Sequence, residues 1–179
     1  IPPTPTLAMV GTKPGYDAPT AALDGDGALL LVGPGSDALG GSELLAQSGG
    51  TDRFPTLPDD PAAVVEALAA VADADGTLAV HDVSNGGLAV TLAELVTAEA
   101  GADVAVDDSV ALFEETPGRA VVETTDPGAV REAVGDVPVT ELGTSDRSGT
   151  LSVSVGGETL EYASETIAEA RGHITRTLD

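Results

Sequence analysis

Two periodicities alternate along the chain. Short continuous apolar runs end in glycine or a polar turn, and stretches with apolar residues every three or four positions follow them. Residues 27–33, GALLLVG, form such a run between turn residues and predict a strand buried on both faces. Residues 77–83, TLAVHDV, predict another. Helical spacing appears in PAAVVEALAAVADADG, where Val64, Val65, Leu68 and Val71 fall on one face and Gly76 follows the end. A second amphipathic helix begins at Gly87 and carries Leu88, Leu92, Leu95 and Val96 on its buried stripe.

The remaining elements follow the same grammar. TLAMVGT, residues 6–12, reads as a strand entered through an extended proline-rich segment. A glycine-rich loop leads to a short helix over residues 42–46. ADVAVD predicts a strand, SVALF one helical turn, and RAVVETT a further strand. PGAVREAVG is a helix with Pro127 near its start and Gly135 at its end. VPVTELG and GTLSVSVGG are two late strands, with TSDRSG as the turn between them, and residues 162–178 read as helical or frayed, interrupted by Gly172. The strands are too short and too interleaved with helices for a two-sheet sandwich. The expected class is α+β, a single mixed β-sheet with helices packed on it.

Composition sharpens this picture. At 179 residues, the chain suits one domain, or one domain with an appended segment. Two Phe, two Tyr and no Trp leave the core to Val, Leu and Ala. Thirty acidic residues against seven basic ones give a net charge of -23, which argues against nucleic acid and anionic membrane surfaces as partners. The acids are interleaved with regular apolar patterns, so the chain folds. Such a surface fits a cytoplasm that accumulates salt, where the Debye length falls to about 3 Å at 1 M and self-repulsion is screened. With no cysteine there is no disulfide framework or thiolate chemistry. No apolar run is long enough to cross a bilayer. IPPTPTLAMVG has no basic start or cleavage pattern and no initiator Met, so the chain reads as part of a longer protein.

Three segments could carry chemistry. In HDVSNGGL, Gly86 and Gly87 leave backbone N–H groups unobstructed at a helix start, where the dipole favours an anion. Asp82 could hold Mg²⁺ together with phosphate oxygens, and His81 could move a proton. The plainer alternative is that Ser84 or Asn85 caps the helix. In GPGSDALGGSELL, Gly40, Gly41 and Ser42 could form a second anion-binding turn, or Ser42 could be a simple cap. In LFEETPGR, Glu115 and Thr116 form an acidic turn and Arg119 could grip phosphate as a planar fork; a solvated turn is the alternative. His173 reads as a surface helix residue.

In this order and spacing, LGGSELL, VHDVSNGGLAVTLAEL and LFEETPGRAVV resemble the synthetase subunit of phosphoribosylformylglycinamidine synthase, the PurL family. Residues 1–165 resemble its final C-terminal domain, of the type shared with aminoimidazole ribonucleotide synthetase (PurM), and residues 166–179 a helical tail. The resemblance implies a ligase of purine biosynthesis. Formylglycinamide ribonucleotide, ATP and glutamine-derived ammonia become formylglycinamidine ribonucleotide, ADP and phosphate, with Mg²⁺ as cofactor. It implies a glutaminase subunit, a small bridging subunit and the remaining domains of the same chain as partners. It places no catalytic residue in this segment. By the family's internal duplication Asp82, Ser84, Gly86, Gly87, Gly40, Gly41 and Ser42 would form an auxiliary nucleotide half-site, possible for ADP, with Asp82 as metal ligand. Glu115, Thr116 and Arg119 would correspond to a substrate-like acidic turn. Asn85 stands where the family more often has Asp, which removes one carboxylate. The alternatives are another member of the superfamily, such as aminoimidazole ribonucleotide synthetase, selenophosphate synthetase or thiamine-monophosphate kinase, and a non-catalytic interface module.

Overall fold

The structure is a computed structural model that describes residues 18–172 continuously, together with residues 8, 10 and 12. Most of the strand expected over residues 6–12, and His173, therefore lie outside the described residues. Among the described residues, seven strands and six helices follow in the order β1 (Ala28–Val32), α1 (Glu43–Ser48), α2 (Pro61–Val71), β2 (Thr77–Asp82), α3 (Gly87–Leu95), β3 (Gly101–Val106), α4 (Ser109–Phe113), β4 (Ala120–Thr124), α5 (Pro127–Val134), β5 (Val139–Asp146), β6 (Thr150–Val155), β7 (Glu158–Ala163) and α6 (Ser164–Arg171).

The strands join one sheet in the order β2-β4-β1-β5-β3-β6-β7. All neighbours are antiparallel except β3 and β6, so the sheet is mixed, as the interleaving of elements predicts. Each central strand feeds both faces. Leu29 and Val121 enter one core with Leu88, Leu92 and Leu95 of α3. Leu30, Val32 and Val122 enter the other with Ala67 and Val71 of α2 and Val130 and Val134 of α5. Alternation of Cβ directions along a strand produces this division, and it explains why GALLLVG is continuous in apolar residues. Small aliphatic side chains fill both cores, as the scarcity of aromatic residues requires.

Two expectations are corrected. The buried stripe of α2 is Val64, Ala67 and Val71, whereas Val65 is 66% exposed. Adjacent helical residues point about 100° apart, and the spacing of three and four that includes Ala67 is the one that meets the sheet. The second correction concerns the C-terminal region. Residues 158–163 are a strand, and the helix begins only at Ser164. Gly156 and Gly157 occupy left-handed conformations (φ 57° and 86°), and Val155 pairs with Glu158 across them. Two consecutive positive-φ residues make the tight turn that suits the twist of a hairpin. β7 is exposed along its whole length, so it lacks the apolar run by which the other strands announce themselves.

Polar groups in the interior are matched. Glu123, in the middle of β4, is 1% exposed and accepts hydrogen bonds from the amides of Asp24 (2.6 Å), Gly25 (2.9 Å) and Asp26 (3.2 Å) and from the Ser145 hydroxyl (2.5 Å). This fixes the loop before β1 to the sheet. Among the described residues no helix is long and apolar enough to cross a membrane.

Candidate functional site

The three singled-out segments meet at one end of the sheet, where β1 and β2 finish and β4 begins. β2 is held to β4 through the pairing of Asp82 with Ala120, and the amide of Val83 donates to the Arg119 carbonyl at 2.9 Å. The chain then turns, with Gly87 N–H donating to the Ser84 carbonyl at 2.9 Å. Gly86 and Gly87 both have positive φ, 87° and 67°. A Cβ on Gly87 would lie 2.7 Å from the Leu112 carbonyl oxygen and 2.9 Å from that of Glu114. The glycine is therefore needed to bring the mouth of α3 against the acidic turn. Neither Ser84 nor Asn85 caps α3, because no side chain makes the usual cap bond there. The Gly86 amide instead donates to Oε1 of Glu115 at 2.8 Å.

The loop after β1 reaches the same carboxylate. Ser42 caps α1, its hydroxyl accepting from Leu45 N–H at 3.4 Å, and the amide of Glu43 donates to Glu115 Oε1 at 2.8 Å. One carboxylate oxygen thus accepts from the first turns of two helices, and an anion at two converging helix starts is favoured by both dipoles. Gly40 and Gly41 are less open than an anion-binding turn requires. Gly40 N–H donates to the Arg53 carbonyl at 2.8 Å, and the Phe54 ring lies where a Cβ on Gly41 would fall, 2.9 Å away. The returning loop is pinned by Asp52, which accepts from Leu39 N–H at 2.8 Å, and by the Asp37–Arg53 ion pair. These contacts hold both carboxyls below the ordinary aspartate range: the Arg53 hydrogen bond chiefly for Asp37, the Leu39 amide chiefly for Asp52.

The acidic turn divides between inside and outside. Glu114, Thr116 and Arg119 are all buried. Arg119 donates to the Glu114 carboxylate and carbonyl and, at 3.3 Å, to the Thr116 carbonyl, while the Thr116 hydroxyl donates to the other Glu114 oxygen. Burial lowers the Arg119 pKa, and the neighbouring Glu114 charge opposes that shift. These N–H bonds turn Arg119 inward to the chain's own carboxylate. Glu114 is the partner that reading residue types alone misses, since a run of two glutamates does not say which one is buried.

Beside this knot lies a cleft of about 400 Å³ lined by Leu68, Asp82, Ser84, Asn85, Glu115 and Gly118 among others. The Asp82 side chain is 76% exposed there, and its backbone carbonyl accepts from Thr91 at 3.1 Å. His81 sits outside the cleft lining, its Nδ1 2.9 Å from the Asp82 carbonyl and 3.7 Å from the Asp82 carboxylate, its Nε2 3.8 Å from Glu94. Among the described residues no group of three or more His, Cys, Asp or Glu side chains gathers to hold a metal. Asp82 alone suits an Mg²⁺ that arrives with phosphate oxygens already bound, because this ion keeps most of its shell in water and phosphate.

Comparison with known proteins agrees with this architecture. Residues 25–156 match the family described as AIR synthase related protein, C-terminal domain. The PurL subunit of phosphoribosylformylglycinamidine synthase from Natronomonas pharaonis is 61% identical over 185 residues, covering 100% of this chain and 26% of that protein. The corresponding subunit of Haloquadratum walsbyi is 64% identical over 159 residues, covering 88% of this chain and 22% of that protein. The chain therefore spans about a quarter of the length of the curated relatives it matches. Both relatives come from halophilic archaea. Among solved structures, Thermotoga maritima PurL complexed with ATP superposes with a TM-score of 0.61 at 16% identity, over 84% of this chain and 27% of that one, a likeness of fold.

Proposed function

The chain belongs to the AIR synthase related family through its C-terminal domain, and on that footing we propose that it is the last domain of a longer PurL-type synthetase subunit. The parent ligase converts formylglycinamide ribonucleotide, ATP and glutamine-derived ammonia to formylglycinamidine ribonucleotide, ADP and phosphate, in the cytoplasm. Alignment of the whole of this chain with 26% of a haloarchaeal PurL subunit supports this reading. Residues 1–165 would be the domain and 166–179 its tail. The glutaminase subunit, the small bridging subunit and the rest of the polypeptide would be its partners.

Within that enzyme the segment has chiefly a structural role, with at most an auxiliary nucleotide half-site left at the cleft, and one observation carries this. The two helix-start amides that could receive a phosphate, those of Gly86 and Glu43, converge on a single oxygen already supplied by Glu115. Arg119 likewise serves Glu114. What remains open to a ligand is the Asp82–Ser84–Asn85 wall of the cleft, with Asp82 as the one exposed carboxylate for Mg²⁺. Thr116, Gly40, Gly41 and Ser42 do not line the cleft: Thr116 bonds Glu114, Gly40 bonds the Arg53 carbonyl, Gly41 lies under Phe54 and Ser42 caps α1. A catalytic centre needs more groups than this wall offers, so the isolated segment is expected to show no ammonia-dependent turnover. Titration calorimetry of Mg-ADP into the longer subunit tests the half-site. Asp82→Ala should weaken binding about tenfold, roughly the 1.4 kcal/mol that a lost charge-assisted contact represents. Equal affinity in both proteins would leave the segment with a structural role alone.

A further inference from the structure

We propose that the outer face of α2, together with the loop leading into it, is the surface on which another domain of the longer polypeptide packs. The most exposed large hydrophobic side chains in residues 18–172 are Phe54 at 74%, Leu57 at 72% and Val65 at 66%, all within twelve residues of one another. Ala62 and Ala69 are also exposed, and with Val65 they continue one stripe along the helix at spacings of three and four. The helix PAAVVEALAAV holds a single charged residue, Glu66, in a chain with thirty acidic residues. Two other helices on the surface are more charged: α5 carries Arg131 and Glu132 in eight residues, and α6 carries Glu165, Glu169 and Arg171, whereas the shorter α1 holds only Glu43, α3 only Glu94 and α4 none. A helix apolar on nearly all sides belongs inside a structure, and a contiguous exposed apolar surface marks a docking site.

The occupant follows from two further facts. The curated relatives have about three quarters of their length outside the matched segment, so a covering body is available in the same chain. The stripe also borders the candidate cleft. Leu68, on the flank of α2, is half-buried and lines the cleft with Asp82 and Glu115, and Val64 packs under Gly118. A domain seated on α2 would cover Val65 and Leu57 and adjoin the cleft at Leu68. A surface that mates here is itself apolar and poor in carboxylates. A second copy of this chain would instead bring a further net charge of -23 against the first.

The inference rests on the reading of the chain as one domain of a longer subunit, and the test separates the two. This segment has no cysteine, so Val65→Cys and Leu57→Cys introduce unique thiols within it. In the longer subunit in molar KCl, maleimide labelling of each site would be followed by peptide mass spectrometry, native against unfolded. Labelling at least tenfold slower in the native subunit, at a rate independent of protein concentration, is the expected result. Labelling as fast as in the unfolded protein overturns the proposal, even where the subunit retains ammonia-dependent turnover. Protection that grows with protein concentration also overturns it, in favour of a second copy. Absence of ammonia-dependent turnover in the unsubstituted subunit, with protection intact, counts against the enzymatic reading and leaves the packing surface standing.

Discussion

Glu114 and Glu115 are neighbours in sequence with opposite surroundings, and the difference organises the candidate site. Glu114 is buried and shared between Arg119 and Thr116, whereas Glu115 lies at the edge of the cleft and joins the starts of α1 and α3. Taking an ion pair out of water is costly, and the pair repays that cost only while both members remain. Arg119→Met should therefore destabilise the chain by about 3–5 kcal/mol, because Glu114 is left charged and unmatched in the interior. Adding Glu114→Leu to that variant should recover most of the loss. Urea unfolding of the single and double variants checks this. Equal losses in both would mean that the side chains matter for packing volume and not for their charges. On residue type alone Arg119 suits either a phosphate-gripping fork or a solvated turn. Its true partner, five positions away, is evident only once the turn closes.

At the level of elements, legibility followed burial. β1 and β4 are readable as short apolar runs because both their faces meet a core, whereas β2 carries a similar run although it is an edge strand in which only Ala79 is buried. The α3 stripe was readable because Leu88, Leu92 and Leu95 all face the sheet. β7 is not legible as a strand because none of its residues is buried, and its only signal is the Gly156–Gly157 turn before it. The glycine turns of the site were likewise legible, but their meeting was not. Glu115 lies 72 residues from Glu43 and 29 from Gly86, separations that no local pattern reports. The loop between β1 and α2 depends on carboxylate contacts in the same nonlocal way. Asp37 and Asp52 have their pKa values lowered on folding, so they contribute stability above about pH 4, the ordinary aspartate range, and lose it as pH falls through their folded values. Protection of the Leu39 and Gly40 amides from hydrogen exchange, corrected for intrinsic rate, should stay level between pH 7 and about pH 4 and fall below that. Unchanged protection down to about pH 2.5 would show that the loop is held by other contacts.

For the whole molecule, charge is the property that packing does not explain. Each of the five described arginines pairs with one carboxylate: Arg53 with Asp37, Arg119 with Glu114, Arg131 with Glu141, Arg147 with Asp24 and Arg171 with Glu94. Thirty acidic residues in all leave a large surplus of like charges distributed over the surface. At 0.1 M salt the Debye length is about 10 Å, comparable to the separation of neighbouring surface groups, so their repulsion acts across the fold; at molar salt it is about 3 Å and the repulsion is largely gone. The unfolded chain spreads the same charges further apart and gains less from screening. The melting temperature should therefore fall by at least about 10 °C between molar KCl and 0.1 M KCl, where each kcal/mol is worth about 2–4 °C for a chain of this size. Neutralising exposed carboxylates through Glu66→Gln, Glu99→Gln, Asp107→Asn and Glu132→Gln should flatten that dependence, because all four are surface groups outside the described ion pairs. Thermal melts of both proteins across a KCl series make the comparison. An identical salt slope in the neutralised variant would assign the requirement for salt to the apolar cores, which concentrated salt also strengthens, and not to the acidic surface.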